Sequence, residues 1–288
     1  MPVKRFLNSN EAAQILGVNV STIKRWTDSG KLECLQTPGG HRKFLMKHLN
    51  AFLKNQPGHA GKVAMAVGEG KAIHRTNFLI QAGEFEELQQ VLKDAALASD
   101  RDEVRLILNG LVLAQYPVHE VFDHVVTPVL HSVGELWIRG ELSIAEEHVA
   151  SQLIRDSIVE LQDLVRINGK STLPAFCLSF EDDQHDIAIK MVQVVLESAG
   201  IPVINSGFRT PVEGLELAIR RYKPGKMYIS TTFIDDPKDK RAKLKTVLEV
   251  CERQNLKVYI GGQGLGTLDP EDMGGYKQLK TFKDVYNS

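Results

Sequence analysis

The chain has 288 residues, 43% of them hydrophobic and 25% charged, which suits a globular protein of two or three domains with a sizeable core. No apolar run reaches the ~18–20 residues of a membrane span, and the start of the sequence lacks a signal-peptide core. Cys34, Cys177 and Cys251 form no CxxC pair, so a disulfide scaffold and a zinc cluster are not expected and a cytoplasmic location is. The net charge of −1 hides an asymmetry: residues 1–56 hold nine Lys/Arg and three Asp/Glu, the rest 26 and 33. A small basic head on a larger acidic body suggests a nucleic-acid module joined to something else.

In chain order, "NSNEAAQILGVNVSTIKRWTDSGKLECL" predicts two short helices with a tight turn at Gly17. Ser9 or Asn10 is the expected cap of the first, Ala12, Ala13, Ile15 and Leu16 its apolar face; Ser21 is the expected cap of the second and Gly30 its end. Ser21, Thr22, Lys24 and Arg25 then fall in the N-terminal half of a helix placed to meet DNA, and Trp26 reads as core. "TPGGHRKF" has hairpin-turn chemistry, with His41, Arg42 and Lys43 placed to press on a phosphate backbone.

This stretch, residues 5–54, resembles the winged helix-turn-helix of MerR-family regulators and related excisionase-type modules. The resemblance implies double-stranded operator DNA as a partner and self-association, as a dimer or tetramer, on a symmetric site.

Residues 57–71, rich in Gly, read as a linker. From 72 to 168 the pattern is helical: two helices broken near Gly83, a third in "RDEVRLILNGLVLAQY", a fourth opened by Pro117, and a fifth with a capping box from Ser143 to Glu146. Such helices bury their stripes against one another as a bundle. "WIRGELSIAEEH" places Trp137 at the end of one helix and Glu147 with His148 in the opening turns of the next, across a corner at Gly140.

From 169 to 288 strands and helices alternate, predicting a doubly wound, Rossmann-like parallel sheet. The strands are "LPAFCLSF", "PVINSG", "KMYISTTF" and "LKVYIGGQG". Ligands of such sheets sit at the carboxyl ends of the strands, which hold His185, Ser206–Gly207, Ser230–Thr231–Thr232 and Gly261–Gly262.

The three parts together resemble the CarH/LitR-type photoreceptor repressors, whose Trp-x9-Glu-His signature caps adenosylcobalamin and whose α/β domain carries DxHxxG, SxL and GG elements. The resemblance implies Trp137, Glu147 and His148 above the corrinoid, His185 as lower ligand of cobalt, and Asp183 orienting its ring. It places Ser230 and the pair Gly261–Gly262 around the nucleotide tail. Ala188 stands where DxHxxG ends in Gly, Thr232 where SxL has Leu, and Ile138 where light-responsive relatives place a second histidine ligand after the Trp. The expected function is a non-enzymatic transcriptional repressor controlled by adenosylcobalamin, with light as a further input acting through oligomeric state. The alternatives are the same fold binding another tetrapyrrole or a protein modulator, and a corrinoid methyl carrier.

Overall fold

In a computed structural model of the chain, the described residues are 6–56, 58–59, 71–167, 169, 171, 173–180, 183, 185–232, 236–268 and 274–288. Most of the expected linker, 57–71, lies outside them, as do Glu181, Asp182 and Gln184 of the acidic run around His185. Contacts divide the chain into two compact units, Met1–Val165 and Arg166–Ser288.

The first unit opens with α1 (Ser9–Ile15) and α2 (Val20–Asp28). Asn8, not Ser9 or Asn10, caps α1: its side chain accepts from the N–H groups of Asn10 and Glu11, and the Glu11 carboxylate accepts the Asn8 N–H at 2.7 Å. Asn8 is the last extended residue, so it alone can aim a side chain at the orphan donors of the first turn. The second helix likewise starts earlier than expected. The Asn19 carbonyl already accepts from Thr22 and Ile23, which puts Ser21 inside the first turn rather than at the cap. Gly17 (φ 62°) and Gly30 (φ 71°) occupy left-handed turns where a side chain would be strained.

A two-stranded antiparallel wing, β1 (Leu35–Gln36) with β2 (Arg42–Lys43), turns through Thr37–Gly40 on a Gly40 N–H to Thr37 carbonyl bond. The core of this head is Ala12, Ile15, Leu16, Ile23, Leu32, Phe44 and Leu49, with the Trp26 ring tilted against Phe52 at a centroid distance of 4.6 Å. Its last helix, α3 (Met46–Asn55), also packs against the bundle. There Asn50, 2% exposed, donates to the Leu164 carbonyl at 2.8 Å and accepts from Gln115 at 3.1 Å.

The bundle comprises α4 (Lys71–Ala82), α5 (Phe85–Leu97), α6 (Arg101–Leu113), α7 (Val118–Val121), α8 (Thr127–Ile138) and α9 (Ile144–Val165). The fourth expected helix is interrupted by a π turn, Phe122–Val126, and Pro117 is its cap rather than a first-turn residue. Pro128 supplies the reason. It has no N–H for the carbonyl of His124 and its ring crowds that carbonyl, so the ladder widens by one residue. The side chain of Gln89 donates to the His124 carbonyl at 2.8 Å in place of the missing bond. The Ser143–Glu146 capping box forms as expected, with the Ser143 N–H on Glu146 at 2.8 Å.

The second unit is a five-stranded parallel sheet in the order β4-β3-β5-β6-β7, with β3 Ala175–Phe180, β4 Val203–Thr210, β5 Lys226–Ser230, β6 Lys257–Gly261 and β7 Tyr276–Leu279. Helices α10 (Ile187–Ser198), α11 (Leu215–Tyr222), α12 (Pro237–Arg253) and α13 (Phe282–Tyr286) complete it. Side chains alternate along β3: Phe176, Leu178 and Phe180 join Leu215, Ile219, Leu244 and Val247 in one core, while Ala175, Cys177 and Ser179 face the other side, where α10 packs. Three differences from expectation concern the edges. β4 runs to Thr210 through a bulge, α11 is confined to eight residues after Gly214 (φ 84°), and β7 with α13 closes the sheet. The order reverses between β3 and β5, so the topological switch point lies at their carboxyl ends.

Candidate cofactor site and nucleic-acid face

At the switch point the loop after β3 carries Asp183 and His185. Asp183 is fully buried and its carboxylate is saturated. One oxygen accepts the His185 N–H at 3.0 Å and lies 3.1 Å from Nδ1 of the His185 ring; the other accepts the Thr232 N–H at 2.7 Å from the loop after β5. Burial pushes the Asp183 carboxyl up, but the bonds from the His185 ring, the Thr232 N–H and the His185 N–H outweigh it and hold the group below its usual range. An ionised carboxylate at Nδ1 fixes that nitrogen as the protonated one and makes Nε2 the nitrogen that carries the lone pair. The His185 side chain is 57% exposed, so the ring stands out from a buried anchor.

Around this pair the strand ends are small and polar. Ser230 is buried on β5 in register with Ser179 on β3. The Ser179, Thr231 and Thr232 hydroxyls are buried without a hydrogen-bond partner. Gly262 (φ 117°) is held by a close approach: a Cβ there would meet the Thr231 carbonyl oxygen at 2.2 Å. Gly261 lies against the Leu279 carbonyl in the same way, at 3.0 Å. Ala188 is half-buried in the first turn of α10.

The residues fit a corrinoid. Among the described residues no group of three or more His, Cys, Asp or Glu side chains is placed to hold a bare metal ion. A single oriented imidazole instead suits a metal whose remaining ligands come from a macrocycle. Buried hydroxyls without partners at these strand ends suit a polar tail entering beside them, because a buried hydroxyl left unpaired costs about 1–3 kcal/mol.

In the first unit, Trp137 ends α8 and Gly140 (φ 73°) makes the corner into α9. Trp137, Ile138, Ile144 and Val149 are all exposed there, an apolar surface on an otherwise well-packed bundle. Glu147 accepts the Ser151 hydroxyl at 2.6 Å and lies 3.6 Å from the exposed His148 ring. Trp137, Glu147 and His148 thus share one end of the bundle.

On the head, Ser21, Lys24 and Arg25 are exposed along α2 and Thr22 is half-buried. His41, Arg42 and Lys43 line a shallow recess of about 310 Å³ with Asn8, Ser9, Asn10 and Thr37. Arg42 is also tied to Asp28 at 2.5 Å, which braces the wing against the end of α2. Sequence reasoning missed two residues of weight, Ser179 and Asn50. Ser179 was detectable as the polar residue breaking the "AFCLSF" run; nothing local marks Asn50.

Residues 6–57 match the helix-turn-helix domain family and residues 88–161 the B12 binding domain family. The HTH-type transcriptional repressor CarH of Myxococcus xanthus is 27% identical over 279 residues, covering 90% of this chain and 89% of its own. Dimethylamine corrinoid protein 1 of Methanosarcina acetivorans is 24% identical over 62% of this chain and 84% of its own. The solved monomethylamine corrinoid protein of Methanosarcina barkeri superposes with a TM-score of 0.60 at 16% identity, covering 70% of this chain and 96% of its own, a likeness of fold. No helix among the described residues is long and apolar enough to cross a membrane. The chain therefore joins, in one polypeptide, a stretch that matches the helix-turn-helix domain family, a helical stretch that matches the B12 binding domain family, and a five-stranded parallel sheet.

Proposed function

We propose that the chain is a cytoplasmic, non-enzymatic transcriptional repressor whose hold on operator DNA is set by adenosylcobalamin. The observation that carries the reading is the Asp183–His185 pair, buried anchor and exposed ring, at the switch point of the sheet. The working domains are the head at 1–56, a linker at 57–71, a helical cap at 72–168 and the cobalamin-binding domain at 169–288.

His185 would hold the cobalt of the corrinoid through Nε2, with Asp183 fixing its tautomer, and Ser230, Thr232, Ala188, Gly261 and Gly262 would hold the nucleotide tail. Trp137, Glu147 and His148 would contribute an aromatic plate, a carboxylate and an imidazole to holding the group. When bound, the corrinoid supplies a cobalt–carbon bond that light can break. Ile138 carries no ligating atom, so the chain offers no second imidazole at that position. On the head, Ser21, Thr22, Lys24 and Arg25 approach bases and phosphates, and His41, Arg42 and Lys43 the flanking backbone. Self-association joins two or more heads and raises their joint affinity for a repeated site.

The relatives that are corrinoid proteins match only 62% of this chain, which favours a regulator over a methyl carrier because the helix-turn-helix accounts for much of the rest. The test is to add adenosylcobalamin in the dark and record the visible spectrum, the size and DNA retention before and after illumination. Stoichiometric binding, with a spectrum that shifts toward the base-off form in His185→Ala, supports the reading. An unchanged spectrum in that variant removes His185 as ligand, and absence of binding sinks the cobalamin reading in favour of another tetrapyrrole or a protein modulator. Binding without any light-dependent change in size leaves a cofactor sensor and removes the photoreceptor.

A further inference from the structure

We propose that Ser179 is a specificity residue of the tail slot, which selects corrinoids whose tail ends in a nitrogen heterocycle; this rests on the cobalamin reading above. Ser179 is the last residue of β3 on the α10 face of the sheet. It is fully buried, in register with Ser230 of β5, and four residues ahead of the carboxylate that anchors His185. Its hydroxyl has no hydrogen-bond partner among the described residues. A strand interior is an unfavourable place for such a group, and Ala175 and Cys177, the buried residues ahead of it on the same face, carry no hydroxyl.

Two features bear on what the hydroxyl contacts. At the ends of β3 and β5 the Phe180 carbonyl accepts from Asp183, the Gly261 carbonyl from Thr231 and the Asp183 carboxylate from Thr232, and none of these bonds involves the Ser179 hydroxyl. The corrinoid tail would run down the face on which Ser179 lies, because His185 and the first turn of α10 follow directly from β3 on that side. Corrinoids differ in the base that ends this tail. A benzimidazole or a purine carries a ring nitrogen with a lone pair, which accepts a hydroxyl hydrogen in the plane of the ring. A phenolic base such as cresol has no ring acceptor. The slot therefore discriminates by hydrogen bonding: a tail that pairs the buried donor gains a bond that the cresol tail does not.

Three corrinoids test this on the full chain, each titrated in the dark by visible absorbance: adenosylcobalamin, its cresol-tailed analogue, and adenosylcobinamide, which has no tail. The wild-type protein should bind adenosylcobalamin about tenfold or more tighter than the cresol-tailed form, the worth of one buried hydrogen bond. Ser179→Ala should weaken adenosylcobalamin by about tenfold while leaving the cresol-tailed and tailless corrinoids unchanged, so that the preference collapses. The cofactor-free variant should melt no lower than wild type, because the lost hydroxyl had no partner to lose. A preference that survives Ser179→Ala, or an equal loss for all three corrinoids, overturns the assignment, as does a lowered melting temperature of the cofactor-free variant. Failure of wild type to bind any of the three overturns the cobalamin reading itself, and the melting comparison still reports on the hydroxyl.

Discussion

Asn50→Ala is expected to loosen the head from the bundle without unfolding either. In the native chain the Asn50 amide N–H₂ donates to the Leu164 carbonyl at 2.8 Å and its carbonyl accepts from Gln115 at 3.1 Å, with Asn50 2% exposed. Gln115 keeps other acceptors, the carbonyls of Leu113 and Val112, so its bond to Asn50 costs only the usual net value of about 1 kcal/mol when removed. The Leu164 carbonyl differs. It belongs to the last turn of α9, where helix carbonyls have no intrahelical partner, and removing the amide leaves it without its side-chain donor at a cost of about 1–3 kcal/mol. The sum is about 2–4 kcal/mol, charged to the joint between α3 and α9 rather than to either core. Hydrogen exchange read by mass spectrometry should then show the amides of α3 and of the last turn of α9 exchanging about 30-fold faster or more, the factor that ~2 kcal/mol represents. The amides of α5 and α6 should keep their wild-type rates. Unchanged exchange in α3, or an equal acceleration through the whole bundle, would refute the view that this amide pins the head.

His48 is 3% exposed and its Nδ1 accepts the Leu45 N–H, so burial holds its pKa below the ordinary value of about 6.5 and the native ring is neutral. The unfolded chain binds the proton first, so stability is full above pH ~6.5 and falls as the pH drops through the lowered value; Asn or Gln at 48 should flatten that slope in thermal melts. Gly262→Ala should cost at least ~3 kcal/mol and lower the melting temperature of the sheet unit, because the added Cβ meets a backbone oxygen at 2.2 Å in a left-handed conformation; a shift under one degree would contradict the packing. On the head, Lys43→Ala should reduce the salt dependence of DNA binding by about one unit of slope, whereas Asp28→Asn, which releases Arg42, should lower the thermal stability of the wing; equal slopes for Lys43→Ala and wild type would remove Lys43 from the phosphate contacts.

The architecture was legible where periodicity and punctuation coincide. The helices around Gly83, the Ser143–Glu146 box and the first four strands of the sheet all announce themselves in a single window of sequence. The departures have local physical causes that a pattern does not weigh. The cap of α1 moved to Asn8 because backbone conformation, not residue type alone, decides which side chain reaches the first turn, and Asn8, Ser9 and Asn10 are chemically near-equivalent candidates. The π turn is the work of Pro128, and its tolerance depends on Gln89 from another helix. β7, "YKQL", has half-exposed alternation and a preceding segment outside the described residues, so its strand character comes from pairing with β6.

The candidate site shows a sharper division. Residues that hold the loop, Asp183 and the two glycines, are recognisable because geometry permits few alternatives: a buried carboxylate needs three donors, and Gly262 has no room for a methyl group. Residues that would meet a ligand are recognisable only by what they lack. Ser179 looks like an ordinary polar interruption in a strand until the register with Ser230 and the absence of a partner for its hydroxyl are known. The same logic explains why D-x-H carries little information in a sequence yet much in this fold. His185 acquires meaning because the Thr232 N–H, 49 residues beyond Asp183, shares the Asp183 carboxylate with it and so locks the first and third strands of the unit around one imidazole.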